Sequence, residues 1–214
     1  MSPTSLFHET MAEAIANEAM NEIVQDTISP MPFDATSLSL RTQKKLLSKI
    51  SSRAVVKHFI TEEAARLFDN FYRFLKHYYS KAVSEKVVKN MIKIVMKLGL
   101  LARYDQFTED EQPQLTSFQQ QLHTLSLTVI SFGTVPFSYD RIHLLRLMQG
   151  ALAELLPIVR RHLSEKSVGR IQMVFDHISK PAVLDGLFNM NSEHSALRDQ
   201  MLSDLELLID INEL

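Results

Sequence analysis

The segment 84–101 sets the tightest constraint on the fold. On a helix turning about 100° per residue, Lys86, Lys89, Lys93 and Lys97 fall within roughly 80° of one another. Nearly everything else is apolar: Val87, Val88, Met91, Ile92, Ile94, Val95, Met96, Leu98 and Leu101. The apolar arc covers more than half the circumference, wider than the stripe of a simple surface helix. Two readings follow. The segment is a central bundle helix with one solvated Lys stripe, or its extra apolar surface lines something other than neighbouring side chains.

Helical periodicity runs through most of the chain, and glycine is scarce, with five in 214 residues. Thr61-Glu62-Glu63 reads as a helix start, a capping hydroxyl followed by acids in the first turn. The helix that follows places Phe68, Phe71, Tyr72 and Tyr78 at core spacing. Ser84 is expected to cap the next helix, and 104–113 to be an acidic loop. Further helices are expected at 114–131, 139–162, 165–178 and 194–210, with a short turn near 182–188. No segment alternates as a strand would. The chain therefore reads as all-α, with short connections that favour antiparallel neighbours.

Charge divides the chain into three. Residues 1–40 carry six acids and no Lys or Arg, a net of −6. Residues 41–103 carry 15 bases and four acids, a net of +11, and residues 104–214 a net of −7. A basic block in a nearly neutral protein points to an anionic partner: a membrane surface, a phosphorylated lipid or a nucleic acid. The segment 39–58 concentrates it. Leu40, Leu46, Leu47, Ile50 and Val55 form an apolar side, against Arg41, Lys44, Lys45, Lys49, Arg53, Lys57 and His58. That composition suits a helix lying in an anionic membrane interface, and equally one packed on its own domain with a charged outer face. The acidic stretch 1–37 is either an extension that folds back on the basic block and competes with membrane, or a tail without that role.

Several chemistries have no residues to support them. There is no Cys, which removes disulfides, thiolate metal sites and a Cys nucleophile. The glycines lie at least 17 positions apart, so no Gly-rich phosphate loop exists. Neither Glu-x-x-His nor Gly-x-Ser-x-Gly occurs. Asp176-His177 could be posed as an acid–base pair, but adjacent helical residues point in different directions. No signal peptide is evident. The longest charge-free run, 112–139, contains Gln119, Gln120, Gln121, His123 and Pro136 and is too polar to cross a bilayer. The expectation is a soluble, cytoplasmic protein without enzyme activity, metal or cofactor.

Three stretches carry a family likeness: Gln43-Lys44-Lys45-Leu46-Leu47-Ser48-Lys49-Ile50; Leu98-Gly99-Leu100-Leu101-Ala102-Arg103 with Gln106-Phe107; and Arg161-His162-Leu163-Ser164-Glu165-Lys166-Ser167-Val168-Gly169-Arg170 with 174–179. With 127–132 and 139–141 they span residue 38 to the C-terminus. The chain resembles the tumour necrosis factor alpha-induced protein eight family, also called the TIPE family.

The resemblance implies an antiparallel bundle of about six helices around a central apolar cavity (61–214), preceded by a basic amphipathic helix (38–60) and here by the acidic extension (1–37). It implies a phosphoinositide- or phospholipid-binding and transfer protein that modulates signalling, apoptosis or immune homeostasis. Acyl chains, of a phospholipid or a fatty acid, would occupy the cavity. Lys44, Lys45, Lys49, Arg53 and Arg103 would hold the headgroup and dock the protein on anionic lipid at the plasma membrane. At Gln119 the chain departs from a position that is basic in relatives. Candidate cavity residues are Met91, Val95, Leu98, Leu145, Met148, Leu152 and Leu155, which pattern alone does not separate from core. Signalling proteins are further expected partners. The alternative is a death-effector-like adaptor that acts through protein contacts without lipid. Nucleic-acid binding explains the charge but not the over-apolar helix.

Overall fold

A computed structural model describes residues 61–103, 105–188 and 193–210, together with Leu38 and Thr42. Among these residues there are seven α-helices and no strand. They are α1 (Glu62–Leu75), α2 (Lys81–Arg103), α3 (Gln112–Thr134), α4 (Arg141–His162), α5 (Glu165–Ile178), α6 (Pro181–Phe188) and α7 (Ser195–Asp210). The expected 1–37 extension lies outside the described residues, as does the basic helix 39–58 apart from Thr42. Leu38 and Thr42 are buried, and the Thr42 hydroxyl donates to the Leu38 carbonyl at 2.8 Å.

Helix starts follow local chemistry. Thr61 caps α1, its Oγ1 accepting from the Ala64 N–H at 3.3 Å. The second helix begins earlier than Ser84 suggested. Ser80 Oγ accepts from the Val83 N–H at 3.4 Å, whereas Ser84 is buried and donates to the Ser80 carbonyl at 3.1 Å. A hydroxyl bonded back to residue i−4 sits inside a helix and does not begin one. The acidic loop is shortened as well. Thr108 and Glu111 form a capping box that starts a 3-10 turn, Glu109–Glu111, leading directly into α3. The expected turn near 182–188 is the short helix α6.

Contact pairs give the direction of packing. Lys97 meets Ser167 and Asn90 meets Met173, so α2 and α5 run antiparallel. Arg66 meets Asp204 and Phe74 meets His194, which sets α1 against α7 in the same sense. Gln114 reaches the Glu154 carbonyl while Phe132 packs near His143, so α3 and α4 are antiparallel too.

The second helix is buried over much of its length. Val87, Val88, Ile92, Ile94, Met96 and Leu100 are all core, and Ser84 and Asn90 are buried beside them. Among the described helices, α5 and α1 pack against its wide apolar arc, while Val95 stays exposed. By length and composition α4 could cross a membrane, although charged residues interrupt it. Its residues Leu144, Met148, Ala151, Leu155, Ile158 and Val159 are buried in this bundle instead.

Candidate functional site

Two apolar clusters make up the core. The larger centres on Phe74, Leu75, Val87, Val88, Ile92 and Ile171; the smaller comprises Leu144, Met148, Leu184 and Phe188. Between them lies a cavity of about 240 Å³. Its wall takes Phe68, Val183 and Met201 from the first cluster and all four residues of the second.

Every helix contributes to that wall. Leu67 and Phe71 come from α1, Met91 from α2, Leu125 and Val129 from α3. Phe175 and Ile178 come from α5, Leu187 from α6, and Leu202 and Leu205 from α7. Among the described residues the one charged side chain in the lining is Arg198, which is 12% exposed. Its Nε donates to Asp199 Oδ1 at 3.1 Å. The surface that the wall turns to the cavity is almost entirely apolar.

Polar contacts at the edges hold the wall in place. Asp185 accepts from the Tyr139 hydroxyl at 2.9 Å and from Arg141, tying α6 to the start of α4. Burial, with Asp185 alongside, pushes the Tyr139 hydroxyl pKa up. Arg66 donates twice to Asp204 Oδ1, at 3.0 and 2.8 Å, and joins α1 to α7. At the start of α3, Glu111 is buried and accepts from the Thr108 N–H at 2.8 Å. Arg161 lies at 3.0 Å and His162 at 2.7 Å from its other oxygen. Burial alone would raise the Glu111 pKa, but the Thr108 N–H, His162 and the Thr108 hydroxyl more than offset it and hold it at about 2.

The candidate residues divide by position. Met91 and Met148 line the cavity. Leu155 is packed in the larger cluster, with Leu98 and Leu152 against it, and Leu145 packs on the smaller one. Val95 is 47% exposed. Lys44, Lys45, Lys49 and Arg53 lie outside the described residues. Arg103 ends α2, and its side chain lies outside them as well. Sequence reasoning missed Arg198 and the aromatic share of the wall. The helical spacing of Phe68 and Phe71 marks a buried face but not which part of that face meets a void.

Asp176 and His177 do not pair. The His177 Nδ1–H donates to the Met173 carbonyl at 2.7 Å, and its ring packs on Tyr79. His77, Glu193 and His194 bring ligand atoms within 4.8 Å of one another, a group that could hold a metal ion.

The described helices form an all-α bundle with an apolar cavity among them. The sequence pattern of the family described as "Tumor necrosis factor alpha-induced protein 8-like" matches residues 33–212, and the chain belongs to that family. Relatives include the Drosophila melanogaster protein "salivary glands marred", 35% identical over 85% of this chain and 97% of its own length. The Bos taurus tumor necrosis factor alpha-induced protein 8 is 34% identical over 83% of this chain and 90% of its own. The Gallus gallus protein of that name is 39% identical over 73% and 84%. Neither the family nor these relatives carry the name of an enzyme class.

Proposed function

We propose that this chain binds a phospholipid or fatty acid, with an acyl chain in the cavity and the headgroup held by basic residues, and moves such lipids between membranes. The observation that carries this reading is the cavity of about 240 Å³ to which all seven helices contribute. That volume lies just under the range of about 300–1,000 Å³ that encloses drug-sized ligands, so it suits one acyl chain, not two side by side. Ten methylenes moved from water into such a site contribute about 8 kcal/mol. The carrier therefore makes membrane and protein comparable end states for the chain. No bond is made or broken, so the reading requires no enzyme chemistry.

Arg198 lies in the wall with its Nε on Asp199, and the cavity surface is almost wholly apolar, so the headgroup is left to basic residues outside it. Lys44, Lys45, Lys49, Arg53 and Arg103 complete the docking set at an anionic membrane, which recruits the protein peripherally from the cytoplasm. Membership of the family supports a role in signalling, apoptosis or immune regulation. The adaptor reading draws on the surface between α3 and α4, where Phe137 is 93% and Ile142 69% exposed.

Mass spectrometry of lipid carried through purification tests the cavity. Copurified or exchangeable acyl lipid is the expected result; its absence would favour the adaptor. Flotation with phosphoinositide vesicles tests the docking set. Changing Lys44, Lys45 and Lys49 together to Glu should abolish binding, and persistence would remove that helix from the docking surface.

A further inference from the structure

Along the α2–α5 interface lies a second feature that the cavity does not use. Arg170 is only 8% exposed, and Ser167 only 1%. Lys97 is half-buried opposite them and donates to Ser167 Oγ at 3.1 Å. Among the described residues no carboxylate pairs with Arg170 or Lys97. Lys93 and Lys166 are close enough to act on the Lys97 charge, and Arg170 acts on it more strongly still. Burial first, then these three cations, pushes the Lys97 pKa down to about 8. Burial likewise lowers that of Arg170.

A chain gains nothing in stability by burying a guanidinium and an ammonium side by side without a counter-charge. Like charges in a poorly solvated place repel, and each has lost part of its water. The arrangement becomes favourable once an anion enters. Arg offers a planar fork that bonds two phosphate oxygens, Lys a point charge and Ser a neutral donor. Ser167 also stands in the first turn of α5, where the helix dipole favours negative charge.

We propose that Arg170, Lys97, Lys166 and the Ser167 hydroxyl form a pocket between α2 and α5 that binds a phosphate group, free or carried on a lipid headgroup. It shares no residue with the cavity wall, so it stands or falls apart from the acyl-chain reading.

The test is calorimetric titration of the full chain with inorganic phosphate, at ionic strength held constant with chloride, beside R170Q, K97Q and the exposed control K86Q. Wild type and K86Q should bind phosphate, and R170Q and K97Q should lose at least about tenfold in affinity. At about ten times the dissociation constant, phosphate should raise the wild-type Tm by about 3–6 °C. R170Q should fold with a Tm at or above that of wild type, since it removes an uncompensated buried charge. It should lack the specific rise, which also controls for the general stabilising action of phosphate as a salt. Vesicles of phosphatidylcholine with phosphatidylinositol bisphosphate separate the sources. If phosphate competes with vesicle binding, the pocket holds a headgroup; if vesicle binding is indifferent, its ligand is a free phosphate. No binding beyond chloride, or equal binding by R170Q and K97Q, overturns the pocket.

Discussion

The Tyr78 hydroxyl occupies the space that a side chain at Gly186 would need: a Cβ there would lie 1.5 Å from the oxygen and 2.6 Å from Cζ. Gly186 is in α6, four of whose residues wall the cavity, while Tyr78 packs on Phe74 in the core. G186A must therefore displace either α6 or the Tyr78 ring. It should cost about 1–3 kcal/mol, and each of those lowers Tm by about 2–4 °C in a chain of this size. Adding Y78F should recover part of the loss. A single mutant as stable as wild type in thermal unfolding would contradict the close approach.

Filling the cavity should separate binding from folding. V129F adds a ring to the α3 wall, where Val129 is partly buried. Fatty-acid affinity, followed by displacement of a fluorescent analogue, should fall about tenfold or more, while stability holds or rises by about 0.5–2 kcal/mol. Unchanged affinity would place the acyl chain elsewhere.

Acid should weaken the start of α3. The Glu111 carboxyl is held at about 2 in the folded chain against an ordinary value of 4.5. Its stabilisation is therefore complete above about pH 4.5 and drains away as the pH falls toward 2. E111Q should cost about 1.5–3 kcal/mol at neutral pH and flatten the acid limb of a urea stability profile. A parallel shift of the whole profile would mean that this carboxyl does not govern the limb.

Arg66 bonds two acids of unequal worth. Asp204 is 8% exposed and accepts at 2.8 Å; Glu63 makes a 3.5 Å contact at the surface. R66A leaves the Asp204 carboxylate in place without its cation and should cost about 2 kcal/mol. E63Q should leave the urea midpoint unchanged, because exposed pairs contribute little. Equal effects would show that burial of Asp204 does not set the strength of the pair.

Much of this fold was legible in the chain. The cap at Thr61 and the periods of 139–162 and 165–178 place α1, α4 and α5 within a residue or two. Ser84 misled because a serine's letter does not say whether its hydroxyl faces a helix end or a buried carbonyl. At eight residues, α6 is too short for its period to stand out from a turn. The site was harder to read. Met91 and Leu98 lie on the same arc of α2, yet one meets the void and the other the packed core. Which of them does so depends on the helices across from α2, and no local spacing reports that. Arg170 sits inside a readable motif, but that no carboxylate pairs with it among the described residues is a property of α2 and α5 together.

That lack has a consequence for anyone engineering the chain. Apolar or neutral residues of similar shape commonly replace a buried uncompensated charge at a gain in stability. A library selected only for heat resistance should exchange Arg170 early, and the winning clones would look like improvements by every assay of folding. Selection on heat alone is thus the wrong filter for this position, because it would discard the proposed phosphate site without any loss of folding.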